Sequence, residues 1–188
     1  MRVISGKFKY KQLYAPENNL VRPTTDRIKE TLFNILASKG VSGEVTVLDL
    51  FAGSGALGIE SISRGAEKVV FIDKSRDSVK LLAKNLAHVG ADPESYEVYN
   101  VEFGFALKKL KGRKFDVIFA DPPYAAGYEN KIIELVDKYG VLAQGGVLVI
   151  EHDSDNKFDA SPFVSDERNC GNTTLSFLTY PEEEAHND

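Results

Sequence analysis

The chain contains the sequence FDVIFADPPY at residues 115–124. Its first six residues are typical of a buried strand, and the prolines end that strand because proline cannot donate to a β-ladder and disfavours helix in the residue before it. Asp121, the carbonyl groups of Pro122 and Pro123, and Tyr124 are therefore predicted to lie together at the carboxyl end of a strand. In an open parallel sheet, ligands bind at this edge. A proline-rich turn that only ends the strand is the alternative.

The rest of the chain alternates between strand and helix patterns. Helical periodicity is clearest at residues 75–89, and a second amphipathic helix is predicted to begin near Thr25 and to end at Gly40. Strands separated by helices predict an α/β fold, in which helices cover both faces of a mostly parallel sheet. Strands are predicted at residues 45–50, 68–72, 96–101, 115–120 and 146–151, and a terminal antiparallel hairpin at 163–168 and 173–180.

The composition of the chain limits its organisation. With 188 residues and 43% hydrophobic side chains, the chain is expected to form one domain over residues 24–180, preceded by a basic arm at 1–23 and followed by a frayed acidic tail at 181–188. The single Cys170 excludes an internal disulfide framework, and the three histidines have no metal-ligand spacing. We expect a cytoplasmic monomer that binds neither a metal nor a membrane.

Charge is distributed unevenly along the chain. The net charge is -5, but residues 1–40 carry +5 and the remainder -10. A basic arm on an acidic body is expected where one face meets a polyanion, although a solvated charged tail is the common alternative. The arm is predicted to be an extended segment or short hairpin that is mobile until the polyanion binds. The residues assigned to nucleic-acid binding are Lys7, Lys9, Lys11 and Arg22. If the basic segment is only packed scaffold, the basic cluster at residues 108–114 is the alternative binding surface.

A glycine-rich loop follows the first predicted strand. Gly53, Gly55 and Gly58 match the dinucleotide fingerprint, and Asp73 lies twenty residues beyond Gly53, where a carboxylate would hold a ribose diol. Asp49 places a carboxylate beside the loop, where it would repel a pyrophosphate but attract a sulfonium or ammonium group. The predicted cofactor is therefore S-adenosylmethionine.

These motifs resemble a known family. Residues 49–55 resemble the first motif of class I methyltransferases, and Asp121 to Tyr124 resembles the Asp-Pro-Pro-Tyr motif of enzymes that methylate exocyclic amines of bases. Together with residues 2–6 and 22–36, they are similar to the RsmD family, bacterial methyltransferases of a guanine N2 in small-subunit (16S) ribosomal RNA. The resemblance implies a Rossmann-like seven-stranded sheet, and a ribosomal RNA partner, naked or in an assembling small subunit.

The assignment of site residues follows from these motifs. In the catalytic motif, Asp121 and the carbonyl group of Pro122 would accept the two amine hydrogens, while Tyr124 stacks on the base. The resemblance implies that Thr25 and Arg27 close over the cofactor; Arg27 and Lys29 lie off the apolar stripe of their helix and would otherwise be surface charges. The predicted cofactor site comprises Asp49, Phe51, Ala52, Gly53, Gly55, Asp73, Lys74, Glu102, Phe103, Thr25 and Arg27.

Two other functions remain open at this point. An adenine-N6 methyltransferase acting on DNA or RNA uses the same four-residue motif. A non-catalytic RNA-binding protein with a vestigial cofactor site would also account for the basic arm. Glu102, where the family often has Asp, leaves the adenine contact less defined than the ribose contact.

Overall fold

A computed structural model describes residues 1–16, 25–123 and 127–182. Over these ranges the chain alternates between helices and strands, as the sequence predicts. The helices are α1 (Asp26–Ser38), α2 (Ala56–Ser63), α3 (Arg76–Val89), α4 (Phe103–Lys109) and α5 (Glu129–Tyr139). The strands are β1 (Thr46–Asp49), β2 (Lys68–Ile72), β3 (Tyr96–Tyr99), β4 (Phe115–Ala120), β5 (Leu142–Asp153), β6 (Val164–Asn169) and β7 (Thr173–Thr179).

The seven strands form one sheet in the order β3-β2-β1-β4-β5-β7-β6. The first five pair in parallel, and β7 runs antiparallel to both β5 and β6. This arrangement confirms the predicted mixed sheet and its terminal hairpin. The strand β5 begins at Leu142, four residues before the predicted start, because a shift of register after Phe115 admits the extra residues.

Side-chain alternation along the strands separates two hydrophobic layers. Val117 and Phe119 face α1, α2 and α3, whereas Ile118 and Ala120 face α4 and α5. Both layers are buried, so β4 has a continuous apolar sequence rather than an alternation of apolar and polar residues. No helix within the described ranges is long and apolar enough to cross a membrane.

Helix ends lie where the sequence predicts them. The hydroxyl group of Thr25 accepts a hydrogen bond from the amide of Ile28 at 3.3 Å and begins α1. The hydroxyl group of Ser75 caps α3 in the same way, and Gly90 ends that helix with a φ of 69°. These local signals set the residue at which α1 begins and the residues at which α3 begins and ends.

The N-terminal segment, residues 1–16, differs from the expected mobile arm. Val3, Phe8 and Leu13 are buried in the core layer that contains α1, α2 and α3. The segment folds back on itself through a single antiparallel bridge between Arg2 and Gln12. It is therefore packed on the body, and the expectation of mobility was wrong. The proposed arm boundary at residues 23 and 24, and the tail beyond residue 182, lie outside the described residues.

A buried ion pair anchors this segment. Nζ of Lys29 lies 3.3 Å from a carboxylate oxygen of Glu60, and both side chains are fully buried. The same carboxylate accepts the amides of Ile4 at 2.8 Å and Ser5 at 3.0 Å. The expected surface position of Lys29 was thus wrong, because its partner is supplied by α2, 31 residues away in the sequence. Burial lowers the pKa of Lys29, against the opposing attraction of Glu60.

Gly6 provides a test of this packing. A Cβ atom at Gly6 would lie 1.8 Å from the carbonyl oxygen of Ser63, and the residue has a φ of 80°. We expect Gly6→Ala to lower the free energy of unfolding by about 2 to 5 kcal/mol, through left-handed strain and overpacking. Gly43, with a φ of 78° and nothing within 4 Å of the added atom, is the matched control. Gly43→Ala should lower the free energy of unfolding by only about 1 to 2 kcal/mol.

Urea denaturation of the two variants gives the comparison. Equal losses of stability in Gly6→Ala and Gly43→Ala would contradict the close packing of residues 1–16 on α2.

Candidate active site

Three neighbouring strands carry carboxyl groups at their carboxyl ends. The registers place Asp49 beside Phe119, and Ala120 beside Ile150, so that Asp121 and Glu151 follow together. Each of these carboxyl residues lies two positions after a residue whose side chain packs against α1, α2 and α3, namely Val47, Phe119 and Val149. Because side chains two positions apart point to the same face of a strand, Asp49, Asp121 and Glu151 point to that face as well. The carboxyl groups therefore share one face of the sheet edge.

The pKa values of Asp49 and Asp121 are shifted by burial first and by neighbouring carboxyl groups second. Burial, and to a lesser degree Asp73, raises the pKa of Asp49 to about 7, although the amide of Gly58 donates to its carboxylate at 3.3 Å. Burial, then the charges of Glu151 and Asp49, holds the pKa of Asp121 well above its usual range. A cation at this edge would relieve the repulsion and favour the ionised carboxylates.

The glycine-rich loop lies between β1 and α2. A Cβ atom at Gly55 would lie 2.3 Å from Leu82, so that glycine is required by packing against α3. At Gly53, which has a φ of 54°, the nearest atom to an added Cβ would be 4.0 Å away. The loop backbone at Gly53 is thus open to a ligand, whereas Gly55 serves the fold. Ala52, which directly precedes Gly53, is buried.

Asp73 follows β2 and is held rigidly. Its two carboxylate oxygens accept the amide of Gly53 at 2.9 Å and that of Ser75 at 2.8 Å. The side-chain amide of Asn100 donates to its backbone carbonyl at 2.9 Å. Each carboxylate oxygen has a second lone pair, so the group can still accept a diol. The neighbouring Lys74 is exposed.

Asn100 was missed by the sequence analysis. Its signal was its position directly after β3, beside the end of β2 at the same sheet edge.

An aromatic cluster lies beside the loop. The ring of Phe51 is 5.2 Å from that of Phe103 and 6.3 Å from that of Tyr128, and the last two rings are 5.3 Å apart. This contact brings the predicted loop residue Phe51 and the predicted adenine-side residue Phe103 together. Glu102 caps α4 by accepting the amides of Gly104 and Phe105 at 2.8 and 3.2 Å. Tyr128 was missed, because it follows the motif by four residues in a segment with no clear periodicity.

The remaining predicted residues lie on α1, directly after β4 and on the N-terminal segment. Thr25 and Arg27 are exposed at the start of α1. Pro122 is buried and Pro123 is exposed. Lys7, Lys9 and Lys11 are exposed on the N-terminal segment, whereas Arg22 and Tyr124 lie outside the described residues.

Asp49 makes the stability of the protein depend on pH. Because its pKa rises on folding from 3.8 to about 7, the folded state holds a proton that the unfolded state has lost, and stability falls as the pH rises through this window. Asp49→Asn lacks this loss. The free energy of unfolding of Asp49→Asn, relative to that of the wild type, should therefore rise by up to about 4 kcal/mol between pH 4 and pH 8, as measured by urea denaturation. Glu44→Gln, at an exposed position, should show no such gain; a constant difference for Asp49→Asn would refute the assignment.

Comparison with known proteins identifies the family. The family model described as Conserved hypothetical protein 95 matches residues 1–179. A putative rRNA methyltransferase of Bacillus subtilis is 39% identical over 155 residues, which cover 81% of this chain and 83% of that protein. Ribosomal RNA small subunit methyltransferase D of Escherichia coli is 36% identical over 162 residues, which cover 86% of this chain and 79% of that protein.

A solved structure supports the same conclusion. A putative methyltransferase from Escherichia coli superposes with a TM-score of 0.85 at 33% identity, covering 97% of this chain and 99% of that one. The predicted methyltransferase fold is thereby confirmed. The chain belongs to the Conserved hypothetical protein 95 family, which is the family of ribosomal RNA small subunit methyltransferase D.

Proposed function

We propose that this protein transfers a methyl group from S-adenosylmethionine to the exocyclic N2 amine of a guanine in small-subunit ribosomal RNA. The observation that carries the proposal is the position of Asp121 and Pro122, at the end of β4 beside Asp49 and the open loop at Gly53. The relatives named ribosomal RNA methyltransferases support the RNA substrate.

The residues present fit the cofactor. S-adenosylmethionine supplies an electrophilic methyl group on a cationic sulfur. Asp49 and Asp121 provide negative charge for that cation, Gly53 allows close approach of the backbone, and Asp73 can accept the ribose hydroxyls. Phe51 and Phe103 provide an apolar wall for the adenine. The wider assignment, which adds Ala52, Gly55, Lys74, Glu102, Thr25 and Arg27, is part of the same proposal.

Asp121 and Pro122 act on the nucleophile. The lone pair of a guanine N2 amine is delocalised into the ring, so the amine is a weak nucleophile until its geometry becomes tetrahedral. Two acceptors, the carboxylate of Asp121 and the carbonyl group of Pro122, favour that geometry over the flat ground state. Asp121, whose pKa burial holds above its usual range, can also accept the surplus proton. Pro123 fixes the backbone, and Tyr124 stacks on the base.

Transfer of a tritiated methyl group tests the function. The substrates are small-subunit ribosomal RNA, the same RNA within the small ribosomal subunit, and double-stranded DNA. We expect labelled N2-methylguanine in the ribosomal RNA and no label in DNA. Labelled N6-methyladenine would establish the adenine alternative, and absence of transfer to every substrate would leave a non-catalytic RNA-binding protein.

Asp121 should affect turnover rather than cofactor binding. We expect Asp121→Ala to lower kcat by about 100- to 1000-fold, as loss of a preorganised polar group does, and to change the cofactor Kd by less than about tenfold. Single-turnover kinetics and calorimetry give the two values. Loss of cofactor binding with normal turnover at saturation would overturn this role.

Asp73 should behave in the opposite way. A carboxylate that accepts ribose hydroxyls acts equally in the ground and transition states, so Asp73→Ala should raise the cofactor Kd about 10- to 100-fold and largely preserve kcat at saturation. Asp77→Ala, at an exposed position on α3, is the control. Unchanged affinity in a folded Asp73→Ala protein would place the ribose site elsewhere.

A further inference from the structure

A polar groove lies between the N-terminal segment and the exposed side of α1. It has a volume of about 370 Å³. All of its lining residues lie within the described ranges, and it is separate from the carboxyl edge of the sheet. The lining includes Arg2, Ser5, Lys9, Tyr10, Asn34 and Arg64.

Tyr10 has an unusual backbone conformation. It occupies the third position of the turn from Phe8 to Lys11, which is closed by a hydrogen bond from the amide of Lys11 to the carbonyl of Phe8 at 3.0 Å. Its φ is 72°, a value that favours glycine or asparagine at this position of a turn. Among the described residues, no other non-glycine residue has a positive φ. A tyrosine here is unfavourable for the turn itself and indicates a use for the ring.

The ring of Tyr10 is presented to solvent. Its residue is 67% exposed, and Nζ of Lys9 lies 4.9 Å from the ring centroid. The ring therefore contributes little to the core, in contrast to Phe8 in the same turn, which is buried. An exposed aromatic face beside a cation is a suitable platform for a nucleobase.

The turn is held rigidly from behind. The amide of Lys7 donates to the carbonyl of Ser63 at 2.8 Å, and the amide of Phe8 to its hydroxyl group at 2.9 Å. The amide of Tyr10 itself donates to the carbonyl of Val3 at 2.9 Å. Because the turn is fixed before any ligand arrives, little conformational entropy is lost when a ligand binds.

The groove is lined by more cationic than anionic groups. Arg2 and Arg64 each use Nε in an ion pair, with Asp26 and Glu60 respectively, and each guanidinium has further N–H donors. With Lys9 they face a single lining carboxylate, that of Glu30. A phosphate can be bound by these donors, and Asn34 offers an amide to a base edge.

We propose that this groove holds an unpaired nucleotide of the RNA substrate, with its base stacked on Tyr10 and its phosphate bound by Lys9 and Arg64. This inference rests on the proposed function, since it requires an RNA substrate. Glu30 and Asn34 lie four and eight residues beyond the start of α1, which is about 6 and 12 Å along the helix. Neither Asp121 nor Pro122 lines the groove, so the bound nucleotide is not the target guanine itself.

A second exposed aromatic residue provides a matched control. Phe105 on α4 is 52% exposed, and Nζ of Lys109 lies 5.3 Å from its ring centroid. It thus repeats the pairing of Tyr10 with Lys9, but within a regular helix and on the other basic cluster. If exposure and a nearby lysine were sufficient for RNA binding, both residues would contribute equally.

Three variants test the proposal by fluorescence anisotropy with labelled small-subunit ribosomal RNA. Tyr10→Gly should weaken RNA binding about 5- to 100-fold, the range for loss of one stacked base, without lowering stability, because glycine accepts the positive φ. Tyr10→Phe should bind within about threefold of the wild type, and Phe105→Ala should bind as the wild type does. Cofactor affinity should be unchanged in all three.

The outcomes separate this inference from the proposed function. Normal RNA binding by Tyr10→Gly, in a protein that still methylates ribosomal RNA, would overturn the groove assignment and leave the function intact. Loss of binding in Phe105→Ala alone would move the RNA face to α4 and likewise overturn it. A wild-type protein that neither binds nor methylates ribosomal RNA would overturn both.

Discussion

The crowding of carboxyl groups at the carboxyl edge of β1, β4 and β5 is the constraint on which the site depends. Parallel pairing in register places Asp49, Asp121 and Glu151 on one face of the sheet. Burial, and to a lesser degree Asp73, raises the pKa of Asp49, and burial, then Glu151 and Asp49, raises that of Asp121. Such an arrangement is unfavourable for an empty site, because ionised carboxylates repel one another. It is suited to a cationic ligand and to an amine that gains positive charge during reaction. The adjoining loop and aromatic cluster then give that ligand its shape.

The buried pair of Lys29 and Glu60 connects this edge to the proposed RNA surface. Glu60 lies on α2, directly after the glycine-rich loop, and its carboxylate holds the backbone of residues 4 and 5 as well as Arg64. Leaving either charge without its partner would cost about 3 to 5 kcal/mol, because both are fully buried. The N-terminal segment is thereby part of the same rigid body as the loop. The proposed RNA groove consequently has a fixed position relative to α1 and the carboxyl edge of the sheet.

Local sequence was sufficient for much of the fold. Residues 115–120 form the predicted strand because their apolar run and the following prolines are local signals, and the caps at Ser75 and Gly90 are equally local. The packing of residues 1–16 was not predictable in this way, because its partners Glu60, Ser63 and Asn85 are 55 to 71 residues distant in the chain. Lys29 lies off the apolar stripe of α1, so the helical pattern predicts an exposed side chain. Its buried partner, Glu60, is known only from the tertiary structure. Asn100 and Glu151 were missed because each joins the site through strand order rather than through a motif, and Tyr128 was missed because it lies in a segment with no clear periodicity.

Proton release on cofactor binding tests the central claim, that these carboxyl groups are matched to a cation, most directly. Calorimetric titration of S-adenosylmethionine at pH 7, in two buffers of different ionisation enthalpy, counts the protons released. Binding of the cation should lower the pKa of Asp49 from about 7 and release protons, and S-adenosylhomocysteine, whose sulfur is neutral, should release fewer. Asp49→Asn should reduce the release. Proton uptake, or equal release with both ligands, would contradict the account.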